Sequence, residues 1–262
     1  MIVALAQTHI LWEDKEKNLE KVASFMKNAK QQGADIVFFP EMSLTGFSMN
    51  TAVTAEESLP DAIKMLCDEE QIAVGIGWTK RCEKKAENHY AIVDRDGNVC
   101  LDYVKIHPFS YAGESDVFQG GNEILFCQLG DYSFSVFICY DLRFPELFQI
   151  ASQKAEVIVV PANWPAKREE HWKTLLKARA IENQSYILGI NCVGTIGGIM
   201  YNGYTSAYSP DGECLAALSG EEGIVIAEIG HEKLEVRNSF PVKLDRKWQF
   251  YSEKYMDSSD SL

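Results

Sequence analysis

The sequence predicts a single α/β domain, because short apolar segments of strand length alternate with longer segments that have helical periodicity. The chain has 262 residues, and 46% of them are hydrophobic, which is enough to bury a substantial core. No linker or low-complexity stretch divides it. We therefore expect one domain over residues 1–255 and a flexible tail over residues 256–262, which end in the polar sequence DSSDSL.

The first part of the chain alternates apolar and amphipathic segments. The apolar run at Ile2–Gln7 predicts a buried strand, and the charged segment after it has apolar residues at helical spacing up to Gly33. Pro40 marks the end of the next strand, since proline cannot donate to a sheet ladder. The further elements predicted here are strands at residues 36–39, 72–78, 90–93 and 99–103 and a helix at residues 59–70.

The second part of the chain opens with a long segment, residues 105–121, that is rich in proline and glycine. Long ordered loops in compact domains often carry function. The further predicted elements are strands at residues 124–127, 132–138, 157–160, 186–191, 204–208, 214–218 and 223–228 and helices at residues 145–153 and 171–184. The similar segments GADIVFFPE and KAEVIVVPAN suggest two related halves.

Charge and cysteine content exclude several classes of partner. The chain has 25 Lys and Arg against 38 Asp and Glu, a formal charge of -13 that repels nucleic acid and anionic membrane surfaces. It shows no basic leader and no apolar run of about 18 residues, so we expect a cytoplasmic protein without a membrane partner. Seven cysteines without a CxxC pair indicate neither a disulfide framework nor a zinc site, and we expect no metal.

Cys139, in SVFICYDLRFPEL, is predicted to lie between an apolar strand and a helix. Backbone N–H groups and the positive end of the helix can stabilise a thiolate there and, later, an oxyanion. The position suits a nucleophile. The alternative is that Cys139 is a small core residue, as most apolar-flanked cysteines are.

Two further residues can supply acid–base chemistry and positive charge. Glu41 follows a buried strand, where open sheets place their ligand crevice, and a buried carboxylate suits a general base. Lys105 follows another strand and can stabilise negative charge on a tetrahedral intermediate. The alternatives are a turn carboxylate for Glu41 and a solvated surface lysine for Lys105.

Three motifs, in the order FFPEMSLTGF, DYVKIHPF and FICYDLRFPE, resemble the Glu-Lys-Cys triad of the nitrilase (carbon-nitrogen hydrolase) superfamily. The block NWPAKREEHWKTLLKARAIENQSYILGIN and the turn PDGE resemble the omega-amidase-like members of that superfamily. The resemblance implies an α/β fold, a four-layer α-β-β-α sandwich with two mixed sheets. It also implies a homodimer and an enzyme without a cofactor.

The resemblance assigns a role to each residue of the site. Glu41 takes the thiol proton, Cys139 attacks the amide carbonyl, and Lys105 holds the oxyanion together with the backbone N–H of Tyr140. Glu114 matches a second glutamate that positions the lysine and the substrate. The alternative for Glu114 is a surface position on the loop.

The expected substrate is a small carboxylated amide, an omega-amide such as 2-oxoglutaramate or succinamate. Arg143 can bind a carboxylate in bidentate fashion, although pairing with Asp141 or Glu146 is the competing interpretation. Further residues expected to bind substrate are Tyr111, Asn163 and Trp164. The same triad also fits an N-carbamoyl amidohydrolase, a deaminated-glutathione amidase or a nitrilase, and a catalytically silent binding module is a further alternative.

Two histidines are weighed as well, since histidine is the usual base for a cysteine nucleophile. His107 lies close in sequence to Lys105, which suggests a hydrogen bond that supports the lysine, beside a plain structural role. His171 is expected to pack at the start of a helix.

Overall fold

The computed structural model describes residues 1–259 and contains two seven-stranded sheets within that range. The strands are β1 (Ile2–Gln7), β2 (Ile36–Phe38), β3 (Ala73–Lys80), β4 (Ala86–Val93), β5 (Val99–Val104), β6 (Phe118–Gln119), β7 (Cys127–Leu129), β8 (Tyr132–Val136), β9 (Val157–Ala162), β10 (Tyr186–Asn191), β11 (Val193–Ile196), β12 (Ile199–Tyr208), β13 (Cys214–Ser219) and β14 (Gly223–Glu228).

Helices precede or follow most of the central strands. The α-helices are α1 (Lys15–Gln31), α2 (Thr51–Thr54), α3 (Asp61–Glu70), α4 (Glu114–Val117), α5 (Pro145–Ala151), α6 (Glu169–Asn183), α7 (Val236–Ser239) and α8 (Trp248–Ser259). Short 3-10 helices span Ser110–Ala112, Cys139–Arg143, Ala166–Arg168 and His231–Glu235. Within residues 1–259, no helix has both the length and the apolar character needed to cross a membrane.

Both sheets are mixed and have the same pattern of strand directions. The first has the order β14-β1-β2-β3-β4-β5 with β6 beside β4, and the second has the order β7-β8-β9-β10-β12-β11 with β13 beside β12. The central strand of each, β2 or β9, pairs in parallel with both neighbours, and antiparallel strands flank these three. The segments GADIVFFPE and KAEVIVVPAN supply β2 and β9, so their similarity reflects equivalent places in two related halves.

The two sheets face each other between two layers of helices. Phe38 of β2 and Phe134 of β8 meet at a ring separation of 6.0 Å in the core between the sheets. Helices α1 and α3 cover the outer face of the first sheet, and α5 and α6 cover the second. This arrangement confirms the predicted four-layer α-β-β-α sandwich.

The structure differs from the predicted elements mainly in the second half. The predicted strand 204–208 is the end of β12, which forms a hairpin with β11 through Gly197 and Gly198, both at positive φ. Such a turn favours two glycines, so this pair was an unused hairpin signal. The last helix, α8, includes the start of the segment 256–262 that we predicted to be flexible, and residues 260–262 lie outside the described range.

Candidate active site

Glu41 lies in a tight turn just beyond the carboxyl end of β2, and its side chain is fully buried. The turn packs so closely on β3 that a Cβ at Gly77 would lie 2.3 Å from the backbone nitrogen of Met42. Only a glycine leaves room for the turn. Sequence and packing therefore fix the carboxylate at the edge of the first sheet.

Lys105 directly follows β5, and only 1% of its surface is exposed. Its Nζ lies 2.9 Å from Glu41 Oε1 and 2.8 Å from Glu114 Oε2. Burial lowers the pKa of Lys105, but the charges of Glu114 and Glu41 outweigh that effect, and the pKa is raised overall. The ammonium group is therefore charged at neutral pH.

Glu114 begins α4 and is fully buried. Its Oε2 also accepts a hydrogen bond of 2.5 Å from the backbone N–H of Phe109. Asn88 of β4 joins the two carboxylates, because its Nδ2 donates to Glu41 at 2.8 Å and to Glu114 at 3.1 Å. The loop between β5 and β7 is thus held at its start by buried charges.

Cys139 follows β8 and begins a 3-10 helix with φ +48°, a left-handed conformation that is unfavourable for a residue with a side chain. Burial raises the pKa of the thiol well above its usual value; the charge of Glu41 raises it further, and that of Lys105 lowers it. The resting nucleophile is consequently a neutral thiol that needs a base.

Asp141 anchors the turn that carries Cys139. Its buried carboxylate accepts hydrogen bonds from Tyr103 Oη at 2.8 Å and from the backbone N–H of Ile138 at 3.0 Å. It also accepts from the backbone N–H of His107 and lies 2.9 Å from His107 Nδ1. The expected hydrogen bond between His107 and Lys105 is therefore wrong: the ring of His107 bonds to Asp141 and stacks on Phe144 at 3.6 Å.

The buried charges under the pocket do not balance. Glu41 and Glu114 are two carboxylates, and Lys105 is the one ammonium group that contacts both. Among residues 1–259, no group of three or more His, Cys, Asp or Glu side chains is arranged to hold a metal ion. The neutral amide of Asn88 and the backbone N–H of Asn163, 2.9 Å from Glu41 Oε2, supply the remaining donors.

Asn163 and Trp164 follow β9, the counterpart of β2 in the second sheet. The side chain of Asn163 donates to the backbone oxygen of Glu41 at 2.6 Å, so the equivalent ends of the two sheets are bonded together. The backbone N–H of Trp164 donates to Asn191 Oδ1 at 2.8 Å. Both residues also line the pocket above Cys139.

The pocket has a volume of about 210 Å³, and Lys105 and Cys139 lie among the residues that line it. Its wall contains the cations Arg143, Lys167 and Arg168 but no carboxylate from the described part of the chain. The entrance includes Tyr111, which is 81% exposed. A pocket with this lining is locally positive, although the whole chain has a formal charge of -13.

Arg143 points into this pocket rather than toward the acidic partners considered from the sequence. Its guanidinium lies 4.8 Å from the Trp164 ring centroid, and its Nη2 is 3.2 Å from His171 Nδ1. Asp141 bonds to His107, and Glu146 accepts a hydrogen bond from Tyr255. Burial and the charge of Arg168 lower the pKa of Arg143, so two cations lie near each other without an anion between them.

The structure brings the predicted residues Glu41, Lys105 and Glu114 into direct contact beneath the pocket lined by Cys139. The other predicted residues line the pocket, and they are Tyr111, Tyr140, Arg143, Asn163 and Trp164. Sequence reasoning missed Asn88, which touches both glutamates, and it did not find the anchoring role of Asp141. It also missed Arg168, although that residue lies in the quoted block NWPAKREEHW.

The family model described as carbon-nitrogen hydrolase matches residues 2–236, which is most of the chain. The chain belongs to the carbon-nitrogen hydrolase family. The chain is 33% identical to the 2-oxoglutaramate amidase of Bacillus subtilis, over 95% of this chain and 98% of that protein. It is 34% identical to an omega-amidase of Yersinia enterocolitica, over 91% and 94% of the two chains. These relatives confirm the omega-amidase-like branch of the nitrilase superfamily.

Solved structures of carbon-nitrogen hydrolases have the same fold. A Xanthomonas campestris member, described as having an arsenic adduct in the active site, has a TM-score of 0.87 and 27% identity over 94% of this chain and 97% of its own. An amidase from Nesterenkonia has a TM-score of 0.87 at 23% identity over 97% and 99% of the two chains, and it supports the fold alone.

Proposed function

We propose that this carbon-nitrogen hydrolase is an omega-amidase that converts a small carboxylated omega-amide, such as 2-oxoglutaramate or succinamate, into the dicarboxylic acid and ammonia. The observation that carries the proposal is the convergence of Glu41 and Lys105 beneath a cation-lined pocket that contains Cys139. The omega-amidase and 2-oxoglutaramate amidase relatives support the same substrate class.

In the first half-reaction Glu41 takes the proton of the neutral Cys139 thiol as the sulfur attacks the amide carbon. The carbonyl oxygen becomes an oxyanion, which Lys105 and the backbone N–H of Tyr140 stabilise. Protonated Glu41 then gives its proton to the amide nitrogen, and the carbon-nitrogen bond breaks. Ammonia leaves, and the acyl group remains on sulfur as a thioester.

In the second half-reaction Glu41, again ionised, takes a proton from water as the water oxygen attacks the thioester. The same oxyanion donors act again, the carbon-sulfur bond breaks, and the proton on Glu41 returns to the Cys139 sulfur. The net charge of the site is unchanged in each step. Glu114 stays ionised throughout and holds Lys105 in place.

The cations on the pocket wall support a substrate that has a carboxylate beyond the scissile amide. Arg143 is the candidate for bidentate binding of that carboxylate, and Arg168 adds a second positive charge nearby. Tyr111, Asn163 and Trp164 complete the expected substrate contacts. The volume of about 210 Å³ suits a short acyl chain.

The test is ammonia release from a panel of substrates. It contains 2-oxoglutaramate, succinamate, butyramide, an N-carbamoyl amino acid, deaminated glutathione and an aliphatic nitrile. We expect kcat/KM for the two carboxylated omega-amides to exceed that for every other member by at least about tenfold, the effect of 1.4 kcal/mol. Efficient hydrolysis of a carbamoyl compound, peptide-like amide or nitrile with no activity on omega-amides would reassign the substrate.

We also infer a cytoplasmic homodimer. All seven cysteines are unpaired, as expected in a reducing compartment, and a thiol nucleophile requires one. Exposed aromatic residues of α8, such as Phe250 and Tyr255, are surface that a second copy of the chain can cover. Light scattering on the purified protein at micromolar concentration tests the dimer, which a monomer mass would exclude.

A further inference from the structure

Asn88 contacts all three ionised members of the buried site. Its side chain lies under the pocket with 2% of its surface exposed, and it is not among the residues that line the pocket. Its Nδ2 donates to Glu41 Oε1 at 2.8 Å and to Glu114 Oε1 at 3.1 Å. Its backbone oxygen accepts a hydrogen bond of 2.9 Å from the backbone N–H of Lys105.

The orientation of the Asn88 amide is determined by these contacts. A primary amide has two N–H groups, and both are directed at carboxylates. The opposite orientation would direct the amide oxygen at two acceptors. In the observed orientation Oδ1 is buried without a hydrogen-bond partner among the described residues, which is unfavourable by about 1–3 kcal/mol. The fold tolerates that unsatisfied oxygen in order to place both donors between the glutamates.

The donors matter because two buried carboxylates share one ammonium group. Like charges at short range favour protonation of one member of such a pair. A protonated Glu41 has no capacity to accept the proton of Cys139. Two neutral N–H donors from one amide reduce the repulsion between Glu41 and Glu114 without adding a charge that would compete with Lys105.

We propose that Asn88 is a positioning residue that keeps Glu41 ionised beside Glu114 and thereby sets the acidic limit of catalysis. It acts through the glutamates and not through the substrate. The inference rests on the proposed roles of Glu41 and Cys139. It deepens the proposed function by naming the group on which the general base depends.

Other ionisable groups around Glu41 stay constant when Asn88 alone is changed. The groups that interact with Glu41 are Lys105 after β5, Glu114 of α4, Cys139 after β8, Cys192 between β10 and β11, and Tyr201 of β12. Burial raises the pKa of both Cys192 and Tyr201, so both are neutral near pH 7. A change in the acidic limb of a rate profile then reports on the glutamate pair.

The experiment compares Asn88→Asp with the matched control Asn28→Asp. The control makes the same substitution at an exposed position of α1 that contacts Gln32 only. Two rates are measured from pH 4.5 to 9: kcat/KM for succinamate, and alkylation of Cys139 by iodoacetamide followed by peptide mass spectrometry. Alkylation needs no amide substrate, so it reads the glutamate pair even if the proposed substrate is wrong.

For Asn88→Asp we expect the acidic limb of both profiles to move to higher pH by at least about one unit, because the introduced carboxylate replaces two donors with a negative charge. At pH 7, kcat should fall at least about 100-fold, while KM changes less than about threefold, because Asn88 does not line the pocket. Asn28→Asp should match the parent protein. Unshifted limbs in a folded Asn88→Asp protein would overturn the proposal.

Asn88→Ser provides the test if Asn88→Asp does not fold. The serine hydroxyl can donate to one carboxylate at most, so we expect a smaller upward shift of both limbs and a fall in kcat with KM retained. A loss of rate at all pH values with both limbs in their original position would mean that Asn88 only fills space. Activity lost on every amide together with a shifted alkylation limb would sink the proposed substrate but retain the role of Asn88.

Discussion

Replacing Arg143 with methionine should lower activity on a carboxylated amide much more than on a neutral amide of the same length. The substitution removes the guanidinium from the pocket wall but keeps an unbranched side chain over Trp164. Succinamate and butyramide differ in that a carboxylate replaces a methyl group. Their ratio of kcat/KM therefore isolates the contribution of the charge.

The magnitude follows from the surroundings of Arg143. The guanidinium lies between the ring of Trp164 and Nδ1 of His171, and no carboxylate of residues 1–259 forms an ion pair with it. A substrate carboxylate would be its first anionic partner, through two charge-assisted hydrogen bonds in a pocket that is open to water. Their loss should be worth about 2–3 kcal/mol. That free energy corresponds to a decrease of about 30- to 150-fold in kcat/KM.

The assay is ammonia release from both amides by Arg143→Met and by the control Arg95→Met, which changes an exposed arginine in the turn between β4 and β5. We expect butyramide hydrolysis by Arg143→Met to stay within about threefold of the parent rate. Arg95→Met should alter neither substrate. Equal losses on both amides would refute the assignment of Arg143 to the carboxylate and would indicate that it supports the pocket through Trp164.

Three further substitutions test the buried groups. Lys105→Met should abolish activity and destabilise the fold by about 3–5 kcal/mol in urea at pH 7, since it leaves two buried carboxylates without their ammonium partner. Asp141→Asn should destabilise the fold by about 2–4 kcal/mol and reduce kcat, because an amide cannot accept from all the donors around the Cys139 turn. Burial lowers the pKa of Lys243 to about 7, so the folded state binds fewer protons than the unfolded state above that pH. Stability of the parent protein relative to Lys243→Gln should thus rise from pH 7 to about pH 8.5, below the range in which most thiols of the unfolded chain ionise.

Each of these outcomes has a clear contradiction. Unchanged urea midpoints for Lys105→Met would mean that the ammonium group adds no net stability to the carboxylates. A stable but inactive Asp141→Asn would assign Asp141 to the chemistry and not to the turn. A constant difference in stability between the parent protein and Lys243→Gln across pH 7 to 8.5 would mean that Lys243 is solvated in the folded protein.

The triad was predictable because each member occupies a distinctive local position: a residue after an apolar strand, in a short motif whose order along the chain is familiar. The strands themselves were predictable from apolar runs. Glu41 and Lys105 are 64 residues apart in the chain, yet each marks the end of a strand in the same sheet. Local patterns were sufficient to propose that they meet.

Asn88 and Asp141 were not predictable in the same way. Asn88 is 47 residues from Glu41, and Asp141 is 38 residues from Tyr103, so their roles depend on strand register and on hydrogen bonds across the fold. The sequence around Asn88 is an ordinary strand whose residues alternate between the two faces of the sheet. Which face receives the amide is decided by the pairing of β4 with its neighbours.

Ammonia release by Cys139→Ala tests the central claim most directly, since every step requires the sulfur to attack and to carry the acyl group. With succinamate at saturation and circular dichroism confirming the fold, we expect kcat to fall at least about 10⁴-fold, as in other enzymes that lose a covalent nucleophile. If Cys139→Ala instead retains more than about one hundredth of the parent rate, a thioester on this residue is not the route of hydrolysis.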